Sequence, residues 1–490
     1  MPKINLLMLI AFVFIGLSKS QAQNTILEEH TIPVYEVLSN RTTYLVTGDR
    51  SASSGNPSGA VISGDMVINN TKEWVENWVS PKDSLYWRIK CQKPGKYALS
   101  LIYRCTQDPG AEISVAIDGE SYPIQVKKFK GMYDMYNHNW DIHETEQIFN
   151  LSKGETKLIV KAKDISDKKT LHLFAIGLTP LSAIKSIKKE EKRALKARAN
   201  PEWFQNAGYG LMVHWFPECA PRTGPLKPYK QAVNDFDVEW FANRVQSSGA
   251  KYLILNLAGQ SFPAPIQSWG KHHPNGTITQ RDLIKELAEA LHLRDVKFIL
   301  AQGLPETGRF FQVGYKEHVK NFIEIFTEIG QRYGKLIDGL FFDGGRELIP
   351  YPIDWEGMYK AGKVGNKDRI VSYNFWVLPI TTPWIDYFTG EGCNNQFAPI
   401  TDQFIPYGTG KGLQNHAMFP IDDGQRWWNK TLNYEMKGPS FETEKLITFI
   451  KGSKKNRVPI TLNVNVYQDG SWNDETLEQL KEIKKAVNQF

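Results

Sequence analysis

Between about Gln23 and Leu181, apolar and polar residues alternate in short runs separated by turn residues. The clearest runs are Leu85–Ile89, Tyr97–Tyr103, Glu112–Ile117, Leu158–Ala162 and Leu171–Ile176, which carry the period of strands with one buried face. Such a series predicts an antiparallel β-sandwich over residues 23–181. The texture changes over residues 182–200. There Ile184–Arg198 joins strong helix formers to charges of both signs and predicts an exposed connecting helix. From Glu202 onward strand-like and helix-like runs take turns, the pattern of a parallel sheet with crossover helices. Eight runs read as strands: Tyr209–His214, Lys251–Leu257, Lys297–Gln302, Leu336–Phe342, Arg369–Asn374, Ile385–Phe388, Asn415–Phe419 and Pro459–Val464. Arg281–Arg294, Lys316–Tyr333 and Glu442–Lys454 carry helical spacing. Eight strands close a barrel, so residues 201–490 are expected to form an α/β, TIM-like (β/α)8 barrel behind the sandwich.

Composition adds a compartment. Lys3 followed by an apolar core from Leu6 to Leu17, with small residues at Ser20 and Ala22, reads as a signal peptide over residues 1–22. Cleavage before Gln23 would give an exported protein, periplasmic or secreted, with no stable membrane anchor. Aromatics make up 12% of the 490 residues and charged residues 23%, values that suit a folded chain with aromatic binding surfaces. The net charge of +6 is small for this length and is concentrated in Lys185–Arg198, so nucleic acid is not an expected partner. Cys91 and Cys105 flank an expected hairpin turning at Lys93–Lys96, which would set them several positions out of register. All four cysteines, with Cys219 and Cys393, are therefore expected to be free and buried.

A barrel of this kind gathers the residues at its strand ends into one mouth. His214 and Trp215 follow the first strand, Asn256 and Gln260 the second, Gln302 and Glu306 the third, and Asp343 ends the fourth. Tyr373, Asn374 and Trp376 follow the fifth, Glu391 the sixth, and His416, Asp422, Asp423 and Trp427 the seventh. Carboxylates, amides and aromatic rings suit a sugar pocket. No Gly-rich phosphate loop or zinc-type histidine cluster occurs, so neither cofactor nor metal is expected. Paired carboxylates in an exported barrel point to glycoside hydrolysis, with a glycan or polysaccharide as substrate. In the sandwich, Trp74, Trp78, Tyr133, Tyr136 and Trp140 are either a stacking platform for glycan or core and interface residues.

The run Tyr209-Gly210-Leu211-Met212-Val213-His214-Trp215, with Gly249–Tyr252, Arg281–Leu287 and the stretch from Tyr333 through Asp338–Gly344, resembles the family 29 α-L-fucosidases. A weaker match covers Lys445–Ile447, Ile460–Val464 and Asp469-Gly470. The resemblance implies a retaining enzyme with Asp343 as nucleophile, His214 against the sugar and Asp338 as scaffold. Tyr387–Glu391 resembles the family segment ending in Thr-Pro-Glu, which makes Glu391 the first choice for acid/base and leaves Asp422 and Asp423 in reserve. The chain departs from the family after its second strand, where Ala258-Gly259-Gln260 stands in place of Lys-His-His, and after its third, at Ala301–Pro305. These departures leave a related sugar, or an internal fucose in a longer polysaccharide, as alternatives to terminal fucose. A different alternative is a glycan-binding protein that has lost catalysis. A second carboxylate at retaining distance from Asp343 separates the two readings.

Overall fold

The computed structural model describes residues 34–48, 59–63, 67–68, 74–76, 78, 80, 82–105, 112–126, 140–164, 171–392 and 397–488. The expected leader, Tyr133, Tyr136 and Cys393 lie outside the described residues. The N-terminal region is a sandwich of two six-stranded sheets. One sheet runs Val34–Val37, Ser84–Cys91, Gly154–Asp164, Glu112–Ile117, Glu120–Gln125, with Val61–Ser63 also paired to Ser84–Cys91. The other runs Asp141–Leu151, Gly95–Cys105, Leu171–Pro180, Val75–Glu76, Val67–Ile68, with Thr43–Val46 on Leu171–Pro180. Alternation along Ser84–Cys91 buries Leu85, Trp87, Ile89 and Cys91 in the core between the sheets. Full burial of each such side chain contributes about 1.5–3 kcal/mol.

Two sequence expectations change here. Val34–Val37 pairs parallel to Ser84–Cys91, so the sandwich is not wholly antiparallel. Ser84–Cys91 and Gly95–Cys105 do not form a hairpin: they belong to opposite sheets, and the chain crosses the core between them. Cys91, Cys105 and Cys219 are buried and form no disulfide, but sheet membership, not hairpin register, separates the first two.

In the second region seven strands form one parallel sheet in the order Ile370–Asn374, Gly339–Asp343, Lys297–Gly303, Tyr252–Asn256, Tyr209–His214, Ile460–Asn463, Ala417–Pro420. The sheet curls as a TIM-like barrel. Side-chain parity divides it into two layers. Met212, Tyr252, Ile254, Ile299, Ala301, Phe341, Ile370 and Met418 share the barrel interior, whereas Leu211, Val213, Leu253, Leu255, Leu300, Leu340 and Phe342 face the helices. A Cβ on Gly210 would stand 2.4 Å from the Tyr252 ring, so glycine there leaves the interior to that ring. The fourth strand begins later than its apolar run suggests, because Gly334–Leu336 makes a 3-10 turn first. At the strand's start, Asp338 accepts from His292 Nε2 at 2.7 Å, Lys297 Nζ at 2.9 Å and the Phe298 N–H at 2.9 Å.

Between the fifth strand and Ala417–Pro420, the expected sixth strand at Ile385–Phe388 is an irregular segment. It is pinned on both sides. The Asp386 N–H donates to Val371 O at 2.9 Å, Ser372 Oγ donates to Tyr387 O at 2.6 Å, and isolated parallel bridges join Tyr387 to Gln414 and Glu391 to Met418. The Asp386 carboxylate accepts from Ala199 N, Val371 N, Tyr359 Oη and Lys363 Nζ at 2.6–2.9 Å. Removing one partner of such a buried pair typically costs about 3–5 kcal/mol. The segment thus replaces ladder bonds with one charged clamp at its base.

The helix Ile184–Ala197 lies between the two regions. Most of it is exposed, as expected, but Ala194 is buried and Arg193 pairs with Glu356 at 2.7 Å. The sandwich and barrel also share apolar core: Val46, Trp74, Ile102, Trp140, Phe174 and Ala175 belong to one cluster with the barrel's outer layer.

Candidate active site

Strand parity carries His214, Asn256, Gly303, Asp343 and Asn374 to the C-terminal rim of the barrel interior, one layer above the apolar residues. They line a cavity of about 600 Å³ together with Glu391, Arg346, Glu347, Glu306, Phe311, Trp376, Trp427 and Trp428. Asp343 is the last residue of its strand and is in register with Asn374 on the next. Glu391 arrives from the irregular sixth segment. Its position depends on Gly390, whose φ is +60° and whose added Cβ would meet His416 O at 1.9 Å.

One amide links the two carboxylates. Asn374 Nδ2 donates to Asp343 Oδ1 at 2.9 Å and to Glu391 Oε2 at 2.5 Å, so by the triangle inequality those oxygens are at most about 5.4 Å apart. The amide cannot turn over without loss, because its Oδ1 already accepts from the Trp376 N–H at 3.0 Å and from Thr389 Oγ1 at 2.9 Å. Asp343 is open to the cavity while ringed by protein, and this desolvation raises its pKa. The Asn374 hydrogen bond opposes that rise, and the Glu347 charge adds to it. Glu391 is raised to about 7, by burial first and the Asp343 charge second. Two nearby carboxyls that are both driven toward the protonated form can share a proton between them, and a group near 7 can donate it.

Around the pair, His214 Nδ1 lies 2.9 Å from Asn463 Oδ1, and its ring sits against Trp427 and Trp428 at 5.8 and 5.6 Å. Burial lowers its pKa to about 4, so the ring is neutral at physiological pH. Asn256 is 4% exposed, and its Oδ1 has no hydrogen-bond partner in the protein. Arg346 lies over the Trp376 ring at 4.9 Å and donates to Glu347 at 3.3 Å.

Several expected site residues stand elsewhere, and for three of them parity is the reason. Trp215, Gln302 and Tyr373 each neighbour an inward residue and therefore face outward. Trp215 is buried and donates to Gln468 O at 2.9 Å, Gln302 donates to Gly259 O at 3.1 Å, and Tyr373 packs on Phe342 and Trp355. Gln260 is exposed outside the cavity lining. His416 faces inward one layer too low, with its ring nitrogens 2.7 Å from Thr389 O and from Thr461 Oγ1. Asp422 and Asp423 are both buried away from the cavity. Asp422 binds Asn465 and Thr476, and Asp423 accepts from Tyr434 Oη and the Lys437 N–H. Their carboxyls are committed to loop structure. In the sandwich, Trp74, Trp78 and Trp140 are at most 3% exposed and form no open platform. Arg346, Glu347, Phe311 and Trp428 were not singled out from sequence, although Arg346 and Glu347 follow Asp343 directly after the Gly344-Gly345 turn. Among the described residues no group of three or more His, Cys, Asp or Glu could hold a metal ion. No helix among them is long and apolar enough to cross a membrane.

Fold and site together define a TIM-like barrel with two carboxyls sharing one donor at its mouth. No protein-family model matches the chain. The tissue α-L-fucosidases of Macaca fascicularis and Homo sapiens are each 25% identical to it over 147 residues, which is 23% of this chain and 31% of theirs. The chain thus matches about a third of the length of these curated relatives. Among solved structures it is similar to an endo-fucoidan hydrolase of glycoside hydrolase family 107, with a TM-score of 0.45, 12% identity, and coverage of 59% of this chain and 93% of that one. It is also similar to the α-L-fucosidase AlfC of Lactobacillus casei in complex with α-L-fucose, with a TM-score of 0.41, 16% identity, and coverage of 59% and 99%.

Proposed function

We propose that the protein is an exported retaining glycoside hydrolase that removes terminal α-L-fucose, or a closely related sugar, from glycans. Asp343 is the nucleophile and Glu391 the acid/base. The observation that carries this reading is the shared Asn374 donor, which holds the two carboxyl oxygens no more than about 5.4 Å apart. Retaining pairs stand roughly 5–5.5 Å apart, whereas inverting pairs need about 6.5–9.5 Å to admit a water.

In the first step Asp343 attacks the anomeric carbon as the glycosidic C–O bond breaks, and Glu391 gives its proton to the leaving oxygen. In the second, ionised Glu391 takes a proton from water, the water oxygen bonds to the anomeric carbon, and the Asp343 ester bond breaks. A pKa of about 7 keeps Glu391 protonated in mildly acidic solution, as the first step requires. Asn374 positions both groups through a single amide. Asn256 lines the cavity floor, and His214 with Trp427 supplies a polar edge and an apolar wall. The choice of α-L-fucose rests on the strand motifs and on the 25% identical stretch shared with tissue α-L-fucosidases. Export rests on the leader at residues 1–22.

The test is turnover of an aryl α-L-fucoside beside a panel of other aryl glycosides. Asp343→Asn is expected to lower kcat by about 10³-fold or more, and proton NMR of the first product should show the anomer of the substrate. Unaltered turnover by Asp343→Asn, or an inverted first product, overturns the reading.

A further inference from the structure

We propose that the β-sandwich buttresses a wall of the catalytic cavity from behind, and that Trp74 is a positioning residue acting through Trp376. This inference rests on the glycosidase reading above. Trp376 lines the cavity next to Asn374 and Arg346. Its backbone has a φ of +52°, a left-handed conformation that a bulky residue holds only when its surroundings impose it. Two contacts within the barrel contribute: its N–H on Asn374 Oδ1 at 3.0 Å and the Arg346 guanidinium 4.9 Å from its ring. The third contact comes from the sandwich. The Trp74 ring stacks on Trp376 with centroids 6.1 Å apart and planes 17° from parallel.

Trp74 is itself fixed. It is 3% exposed and packs on Trp140 at 4.7 Å and His172 at 6.4 Å, and the next residue, Val75, pairs with Leu173 in the sheet. The interface that carries this column is apolar, as a mobile interdomain contact is not, because Val46, Ile102, Phe174 and Ala175 share a core with the barrel. Arg41 Nη1 adds a bond to Ile353 O at 2.7 Å. A rigid aromatic column therefore runs from the sandwich sheet to the cavity lining. Removing its sandwich end frees Trp376 to relax its backbone and lets the wall recede from the sugar.

The experiment is a kinetic double-mutant cycle in the full chain, using the aryl glycoside that the unsubstituted protein turns over best. Trp74→Ala is expected to raise KM about 5-fold or more, with a smaller change in kcat and an unchanged pH optimum. Trp74→Phe, which keeps a stacking ring, should restore most of the affinity, and Trp74→Leu, which keeps apolar bulk without the ring, is expected to raise KM like Trp74→Ala and carries the test if that variant does not fold. Trp376→Ala should raise KM at least as much, and combining it with Trp74→Ala should add little, because Trp74 acts through that ring. An unchanged KM in folded Trp74→Ala, or multiplicative effects in the double variant, overturns the inference and leaves the glycosidase reading standing. Absence of turnover by the unsubstituted protein on every glycoside overturns that parent reading, and this inference with it.

Discussion

Glu391 and Asp343 receive the same amide donor, and burial raises the proton affinity of both. For Glu391, burial first and the Asp343 charge second hold its proton up to about pH 7. Because the folded pKa lies above the unfolded value of 4.5, the fold favours the protonated carboxyl. Its stabilising contribution is complete below about pH 4.5 and is lost as the pH rises through 7. Glu391→Gln, neutral at every pH, should therefore melt at a higher temperature than the unsubstituted protein above pH 7, with the gap closing near pH 4 in thermal scans. An equal gap at both ends of that range would show that Glu391 does not titrate there. Asp343 stood out in the sequence because it ends an apolar run that a barrel directs at its mouth, and Glu391 because its segment resembles the family stretch ending in Thr-Pro-Glu. Asn374 stood in the same set of strand-end residues without a role. An amide gains significance only when two carboxylates converge on it, and that is a distance between strands.

At the level of elements, the parallel strands were readable from their apolar runs, and their parity explains which strand-end residues reach the cavity and which do not. A shift of one residue turns a side chain from the cavity to the helices. Asn374 and Tyr373, or His214 and Trp215, look alike as strand-end polar or aromatic residues until that phase is known. The sixth segment is the harder case. Its fixity comes from the Asp386 clamp and from Gly390, not from ladder pairing, so no periodicity marks its end. Gly390→Ala sets a Cβ against His416 O and forces a residue with φ of +60° out of its preferred backbone region. The expected result is a loss of about 10-fold or more in kcat, together with about 1–2 kcal/mol of stability from the backbone conformation alone. Denaturant titration alongside initial rates checks both. Activity retained at the unsubstituted level would show that Glu391 does not depend on this turn.

Over the whole molecule, the sequence divides into a sandwich and a barrel, while the structure joins them. The division was visible because period-two alternation gives way to alternating strands and helices near residue 200. The union was not, because Trp74 and Trp376 are about 300 positions apart, and the sequence offers Trp74 as a platform, core or interface residue and Trp376 as a mouth residue without pairing them. What the molecule presents is a cavity of about 600 Å³ lined by the barrel's strand ends and loops, with the sandwich touching one of its wall residues, Trp376, from behind. The chemistry proposed for that cavity passes through a covalent ester on Asp343. The most direct measurement is mass spectrometry after incubation with 2-deoxy-2-fluoro-α-L-fucosyl fluoride, a slow substrate whose fluorine disfavours the oxocarbenium-like transition state of hydrolysis. Proteolysis should yield one peptide carrying a single fluorofucosyl group on Asp343, and Asp343→Asn should yield none. A label on Glu347 or Glu391 instead, or turnover of the aryl fucoside with inversion and no label, would contradict the account.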